Sequence, residues 1–264
     1  MLRFLIAVAV AMLVAHGARV AAETPKPISQ ATLEEPDQKT PEVSTEDLRR
    51  VLADGSAVVF DARPPKEYAI SHIPGALNVS GKPGLPMSQY VPDAGEIERA
   101  LGGEKESPIV LYCSGPFCGR SKRLSEELLA AGFTNVRRYQ LGIPVWRALG
   151  GTTQIELDAV AYVHEVDRSA VFIDARDPED FRAGTLPRAV SVSVRGLERG
   201  KDVGEVRRAK DDGRLPMEDH NTRVIVFGRD GTQARAVAEA ITGEAFHNVA
   251  FYGGTFESLR QRVK

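Results

Sequence analysis

Both cysteines of this 264-residue chain lie in one short stretch, Cys113-Ser114-Gly115-Pro116-Phe117-Cys118-Gly119-Arg120. The apolar run Ile109 to Tyr112 precedes it, and a helix-like segment, Ser121 to Ala131, follows. That order predicts a strand, a glycine-bearing loop and a helix N-terminus. Such a turn gathers backbone N–H groups and the positive end of a helix dipole. A thiol placed there, beside Arg120, Lys122 and Arg123, is more acidic than a free one, and the thiolate is the nucleophile. The chemistry expected of this loop is therefore sulfur chemistry. Ser114, Gly115, Phe117, Gly119 and Arg120 are the candidate cradle for an anionic partner.

The elements that must position the loop alternate in type. Ser44 to Asp47 has the hydroxyl and early acids of a helix start, with Leu48, Val51 and Leu52 on one face. Val58 to Phe60 reads as a buried strand ending at Asp61. Asn135 to Tyr139 reads as another strand, and Gly142 leads into a short helix containing Trp146. Strands alternating with helices predict an α/β fold around a mostly parallel sheet.

The pattern then recurs. Val171-Phe172-Ile173-Asp174-Ala175-Arg176 repeats Val58-Val59-Phe60-Asp61-Ala62-Arg63, and Val224 to Gly228 repeats Ile109 to Cys113. Asn248 to Gly254 answers Asn135 to Gly142. Two tandem copies of one domain are expected, each a central sheet flanked by helices, over residues 44–150 and 154–264. The seam falls at Gly150-Gly151-Thr152-Thr153, short enough to leave the copies packed together.

Residues 1–22 have the layout of a secretory signal peptide: Arg3, an apolar run from Phe4 to Ala15, then Val20-Ala21-Ala22. An uncleaved anchor is the competing reading, but the run is short for a stable membrane span. With a cleaved leader the mature protein is periplasmic or secreted. Residues 23–43, rich in Pro, Thr, Glu and Gln, are expected to be a poorly ordered spacer. The chain carries 34 basic and 36 acidic residues with no basic block, which gives a nucleic-acid partner no electrostatic support. No metal-ligand spacing appears. A bridge between the cysteines would close only a small loop, so a structural staple explains the pair poorly.

The segment from Asp61 to Asn78 resembles the rhodanese (sulfurtransferase) domain family, with Asp61, Arg63, Glu67, Tyr68, His72, Ile73, Gly75, Ala76 and Asn78 in the family's motif. Ser71 replaces a usual glycine. A cysteine directly after the central strand, here Cys113, is the family's catalytic position. The resemblance implies a persulfide on Cys113, a small sulfur-donor anion such as thiosulfate, a thiol or cyanide acceptor, and no cofactor. Asp61 and Arg63 would support the loop, although an ion pair at the strand end is an equal reading.

Two departures from the family pattern bear on the site. Six residues separate Cys113 from Arg120, where the family loop has four, so the donor is open. Cys118 has the family spacing to Arg123, but it lies five residues beyond the strand end, on the far rim of the loop. We take Cys113 as the nucleophile. Cys118 is either a resolving thiol or a bystander. In the second copy Gly228 replaces the cysteine, Thr185 stands for His72 and Arg188 for Gly75, which leaves that half a structural or substrate-shaping partner. The leading expectation is an exported sulfurtransferase; the alternatives are a dithiol redox protein and a non-catalytic binding module.

Overall fold

A computed structural model of the chain describes residues 26–198 and 203–263; the expected leader lies outside them. The first domain runs α1 (Thr45–Asp54), β1 (Val58–Asp61), α2 (Pro65–Ile70), β2 (Leu77–Asn78), α3 (Ala94–Ala100), β3 (Ile109–Tyr112), α4 (Gly119–Ala130), β4 (Val136–Tyr139) and α5 (Gly142–Ala148). The second runs β5 (Thr153–Ile155), α6 (Leu157–Val166), β6 (Val171–Asp174), α7 (Pro178–Ala183), β7 (Ala189–Ser191), α8 (Gly204–Asp211), β8 (Val224–Phe227), α9 (Gly231–Gly243), β9 (Val249–Tyr252) and α10 (Phe256–Arg262). All strand pairings in both sheets are parallel, in the orders β2-β1-β3-β4 and β5-β9-β8-β6-β7. No described helix is long and apolar enough to cross a membrane.

Helix α1 begins where its sequence requires, with Ser44 and Asp47 forming a reciprocal capping box that satisfies otherwise orphaned N–H groups. Strand β3 is buried along its whole length. Alternate side chains enter two separate cores: Val110 and Tyr112 pack with Leu48, Val59, Tyr139 and Trp146. Ile109 and Leu111 pack with Phe60, Ile97, Leu124, Leu128 and Phe133. A parallel strand covered on both faces reads as a continuous apolar run for this reason.

The expectation of a poorly ordered spacer does not hold for residues 26–43. Val43 donates its N–H to the Arg138 carbonyl, and Arg138 donates to that of Pro41, at 2.9 Å each. Residues 41–43 thus line the edge of β4 as β5 lines β9, giving both domains the same sheet order. Glu35 pairs with Lys122 at 2.8 Å and with the buried Arg138 at 3.1 Å, and these cations hold its carboxyl below the usual 4.5. Composition had pointed to disorder because the segment has little apolar content. Its order comes instead from backbone pairing and charge, which need no apolar periodicity.

The domains meet through a short antiparallel bridge. His72 donates its N–H to Gln154 O at 3.0 Å, Gln154 donates back at 2.8 Å, and Glu156 donates to Ala69 O. Gly151 lies so close to the Trp146 ring that a side chain there would collide with it, and the Trp146 indole N–H donates to Thr152 O. His72 is buried, stacked on Tyr68, with Nδ1 3.0 Å from Tyr68 O. Burial pushes its imidazole from 6.5 down to about 4, so Glu156, 3.5 Å away, faces a neutral ring at neutral pH.

Above pH 6.5 neither folded nor unfolded chain protonates this residue. Between 6.5 and about 4 the unfolded chain takes up a proton that the folded one refuses, so stability falls as pH falls. We predict that His72 contributes up to about 2 kcal/mol of lost stability between neutrality and about pH 5. Urea denaturation at the two pH values should show a smaller difference in stability in His72→Gln than in the parent; equal differences would contradict a neutral buried His72.

Candidate active site

Strand β3 ends in the middle of its sheet, between β1 and β4, and delivers Cys113 at the carboxyl ends of the strands, where open α/β sheets place their ligand crevices. The loop that follows is held from beneath by the turn after β4. Gly142 has φ +64°, and a Cβ there would fall 2.5 Å from Gly115 N and 2.6 Å from Cys113 O. Only glycine allows that approach. The loop closes with Cys118 N–H donating to Gly115 O at 3.2 Å.

The structure departs from the expected far-rim position of Cys118. Cys113 and Cys118 form a disulfide with Cα atoms 6.1 Å apart, and no free cysteine remains. Cys113 is 2% exposed. Cys118 is half-buried and forms part of the wall of a solvent-open cavity of about 730 Å³. The sulfur presented to solvent is therefore that of Cys118.

Ser114, Gly115, Gly119 and Arg120 line the same cavity, as expected of the anion loop. Phe117 does not: it stands 79% exposed in the left-handed region, at φ +64°. The facing wall, Ser88 to Pro92, lies in an irregular stretch without periodicity, and nothing in the residue order points to it. Arg123 also lines the cavity, and neither Arg120 nor Arg123 has an ion-pair partner among the described residues. Helix α4 begins here with Cys118 at its N-cap and no side chain accepting from its first turn. Two unpaired guanidinium groups and an uncapped helix start together favour an anion. Ser114 Oγ lies 3.9 Å from Cys113 Sγ and donates to Glu67 Oε2 at 3.3 Å, tying the loop to α2.

The second copy serves as an internal control. Gly228 supplies no nucleophile. Asp230 caps α9, its carboxylate accepting from Gln233 N–H at 2.9 Å, so an acid already occupies the helix start. Arg235, the counterpart of Arg120, pairs with Glu239 at 2.6 Å; four residues beyond Arg120 stands Leu124 instead. The anion-favouring features of the first loop are thus cancelled one by one in its twin.

Asp61 and Arg63 do not reach the cavity. The Asp61 carboxylate, fully buried, accepts from the Arg63 backbone N–H at 2.9 Å and from its guanidinium at 2.6 Å, and Arg63 also donates to Ser71 O. Arg63 faces the ring of Tyr112, the residue before Cys113. Asp174 and Arg176 repeat this network, with Gly184 O in place of Ser71 O. A pair kept in the copy without a nucleophile belongs to the scaffold. Accordingly, Asp61→Asn and Asp174→Asn should each cost about 3 kcal/mol, the range for unbalancing a buried pair, read as a shift in urea midpoint. Sulfur uptake per folded molecule should be kept in both; its loss in Asp61→Asn alone would assign Asp61 to the chemistry.

The rhodanese-like domain family matches this chain twice, at residues 44–149 and 160–262. Among curated proteins, a tRNA uridine(34) hydroxylase from Staphylococcus aureus (strain COL) is 30% identical over 132 residues, covering 50% of this chain and 39% of the relative. The chain therefore spans well under half the length of that relative. Among solved structures, a thiosulfate sulfurtransferase from Pseudomonas aeruginosa aligns at 22% identity with a TM-score of 0.35, over 83% of this chain and 44% of the other. The 3-mercaptopyruvate sulfotransferase SseA from Escherichia coli aligns at 21% identity and a TM-score of 0.32, over 82% and 98%. With both copies matched over most of their length, the chain belongs to the rhodanese-like domain family, as a tandem member.

Proposed function

We propose that the protein is a sulfurtransferase that carries sulfane sulfur on Cys113, exported by its leader to the periplasm or beyond. The observation that carries this reading is the asymmetry of the two loops. The one with a cysteine at the strand end also has an uncapped helix start and two unpaired arginines around its cavity; the one with glycine has neither.

The chemistry begins from the reduced pair. The Cys113 thiolate attacks the outer sulfur of a donor anion such as thiosulfate. The donor S–S bond breaks, sulfite leaves with the electron pair, and the sulfur stays on Cys113 as a persulfide. Arg120, Arg123 and the α4 amides hold the donor and the charge that moves to its leaving group. An acceptor thiolate or cyanide then attacks the outer sulfur, and Cys113 departs as thiolate. The acceptor is a small thiol, cyanide or a protein thiol; no metal, organic cofactor or nucleic acid enters.

A second reading, dithiol–disulfide exchange with a protein partner, is favoured by the disulfide and by the exposure of Cys118. The two separate in one assay. Pre-reduced protein given thiosulfate and cyanide should form thiocyanate, Cys113→Ser should form none, and Arg120→Ala should lose about tenfold in kcat/KM, the worth of one charge-assisted contact. No thiocyanate from the parent, together with rapid reduction of its disulfide by a dithiol protein, would replace the first reading with the second.

A further inference from the structure

The disulfide and the twin loop together say something about Cys118 that a simple sulfur relay does not require. Cys118 aligns with Gln233, as Cys113 aligns with Gly228. In the second copy no covalent bond can pull this residue inward, and α9 starts three residues earlier in register than α4. Even so, Gln233 folds back over the end of β8. Its Oε1 lies 3.0 Å from where a Cβ of residue 228 would sit, and it accepts from Arg229 N–H at 2.8 Å. The path of the loop therefore returns the fifth residue onto the strand end in both copies. In the first copy that residue is a thiol, with its Cα 6.1 Å from that of Cys113, inside the span a disulfide needs.

Resting on the Cys113 persulfide proposed above, we propose that Cys118 is a second catalytic residue, the thiol that resolves that persulfide. The Cys118 thiolate attacks Cys113 Sγ, the bond from Cys113 to the transferred sulfur breaks, and that sulfur leaves as hydrosulfide. The product is the Cys113–Cys118 disulfide described here. The sulfane sulfur is reduced to sulfide by two electrons, and the two cysteines are oxidised by the same two. The turnover then needs a two-electron reductant, here a dithiol.

Only Cys118 is presented at the cavity, so one thiolate of the reductant attacks Cys118 Sγ and Cys113 leaves as thiolate. Cys113 is the sulfur left to depart because the attack falls on the one sulfur open to the cavity. The second thiol of the reductant then attacks its own mixed-disulfide sulfur and frees Cys118. In sum, thiosulfate and a dithiol yield sulfite, hydrosulfide, the oxidised dithiol and one proton. The disulfide form is the spent enzyme, with Cys113 covered by the residue that resolved it.

The test is a single turnover without acceptor. Protein reduced and freed of reductant is given one equivalent of thiosulfate under anaerobic conditions; sulfite, sulfide and intact mass are followed, with donor-free protein as the oxidation control. The parent should release sulfide in step with sulfite and lose two hydrogens, becoming disulfide. Cys118→Ser should release sulfite alone and keep one added sulfur, which a dithiol then removes. Cys113→Ser should release neither. A parent that releases sulfite yet retains the added sulfur, with Cys118 still free, overturns the resolving role and leaves the persulfide reading standing. A parent that releases no sulfite while its control keeps both thiols overturns both.

Discussion

The constraint on which the site depends is the double burial of β3. Because Ile109 and Leu111 serve one core and Val110 and Tyr112 the other, the strand has no freedom of register: a slip of one residue would exchange the two faces. Cys113 is thus fixed at the sheet's carboxyl edge by packing that has nothing to do with sulfur. Tyr112 adds a second anchor, its hydroxyl accepting from Ile73 N–H at 3.1 Å while its ring faces Arg63. The Asp61–Arg63 pair, Ser71 just after α2 and the strand end form one buried unit, and the loop begins where that unit ends.

Duplication turns the chain into its own comparison. The same sheet order, the same Asp–Arg pair and the same inward-folding fifth residue occur in both copies, so these features belong to the scaffold. The two loops share little beyond Arg120 and Arg235, and four of the exchanges bear directly on the site: Cys113 against Gly228, Cys118 against Gln233, Gly115 against Asp230, and Leu124 against Glu239. Three of these changes satisfy a polar group within the second copy itself. Asp230 takes the helix amides, Glu239 takes the arginine, and Gln233 takes the Arg229 amide. A loop that satisfies its own polar groups gains nothing by binding an anion, since that would exchange one set of charge-assisted contacts for another.

Much of this was legible from residue order alone. The strands and helices around Cys113, the tandem repeat and the seam before Thr153 follow from periodicity and self-comparison. Ser114, Gly115, Gly119 and Arg120, named from their place after the strand, do line the cavity. Three features escaped for physical reasons. The edge strand at residues 41–43 carries a polar composition and is ordered by backbone pairing with β4; its counterpart β5, lying just before α6, was the available signal. The Ser88–Pro92 wall belongs to a stretch with no periodicity, so nothing local ties it to the cavity. The position of Cys118 depends on how the loop doubles back, which no count of intervening residues conveys.

Of the two loops, only the first leaves a helix start and two arginines open beside a cysteine at the strand end. The most direct measurement is the ionisation of Cys113 in reduced Cys118→Ser protein, followed by thiolate absorbance against pH. Helix α4 and the unpaired Arg120 and Arg123 should bring the Cys113 thiol below the roughly 8.5 of a free cysteine, with Arg120→Ala shifting it back upward. A thiol that titrates at or above the free value, unmoved by Arg120→Ala, would mean that burial governs Cys113 and that the loop is not a site for sulfur chemistry.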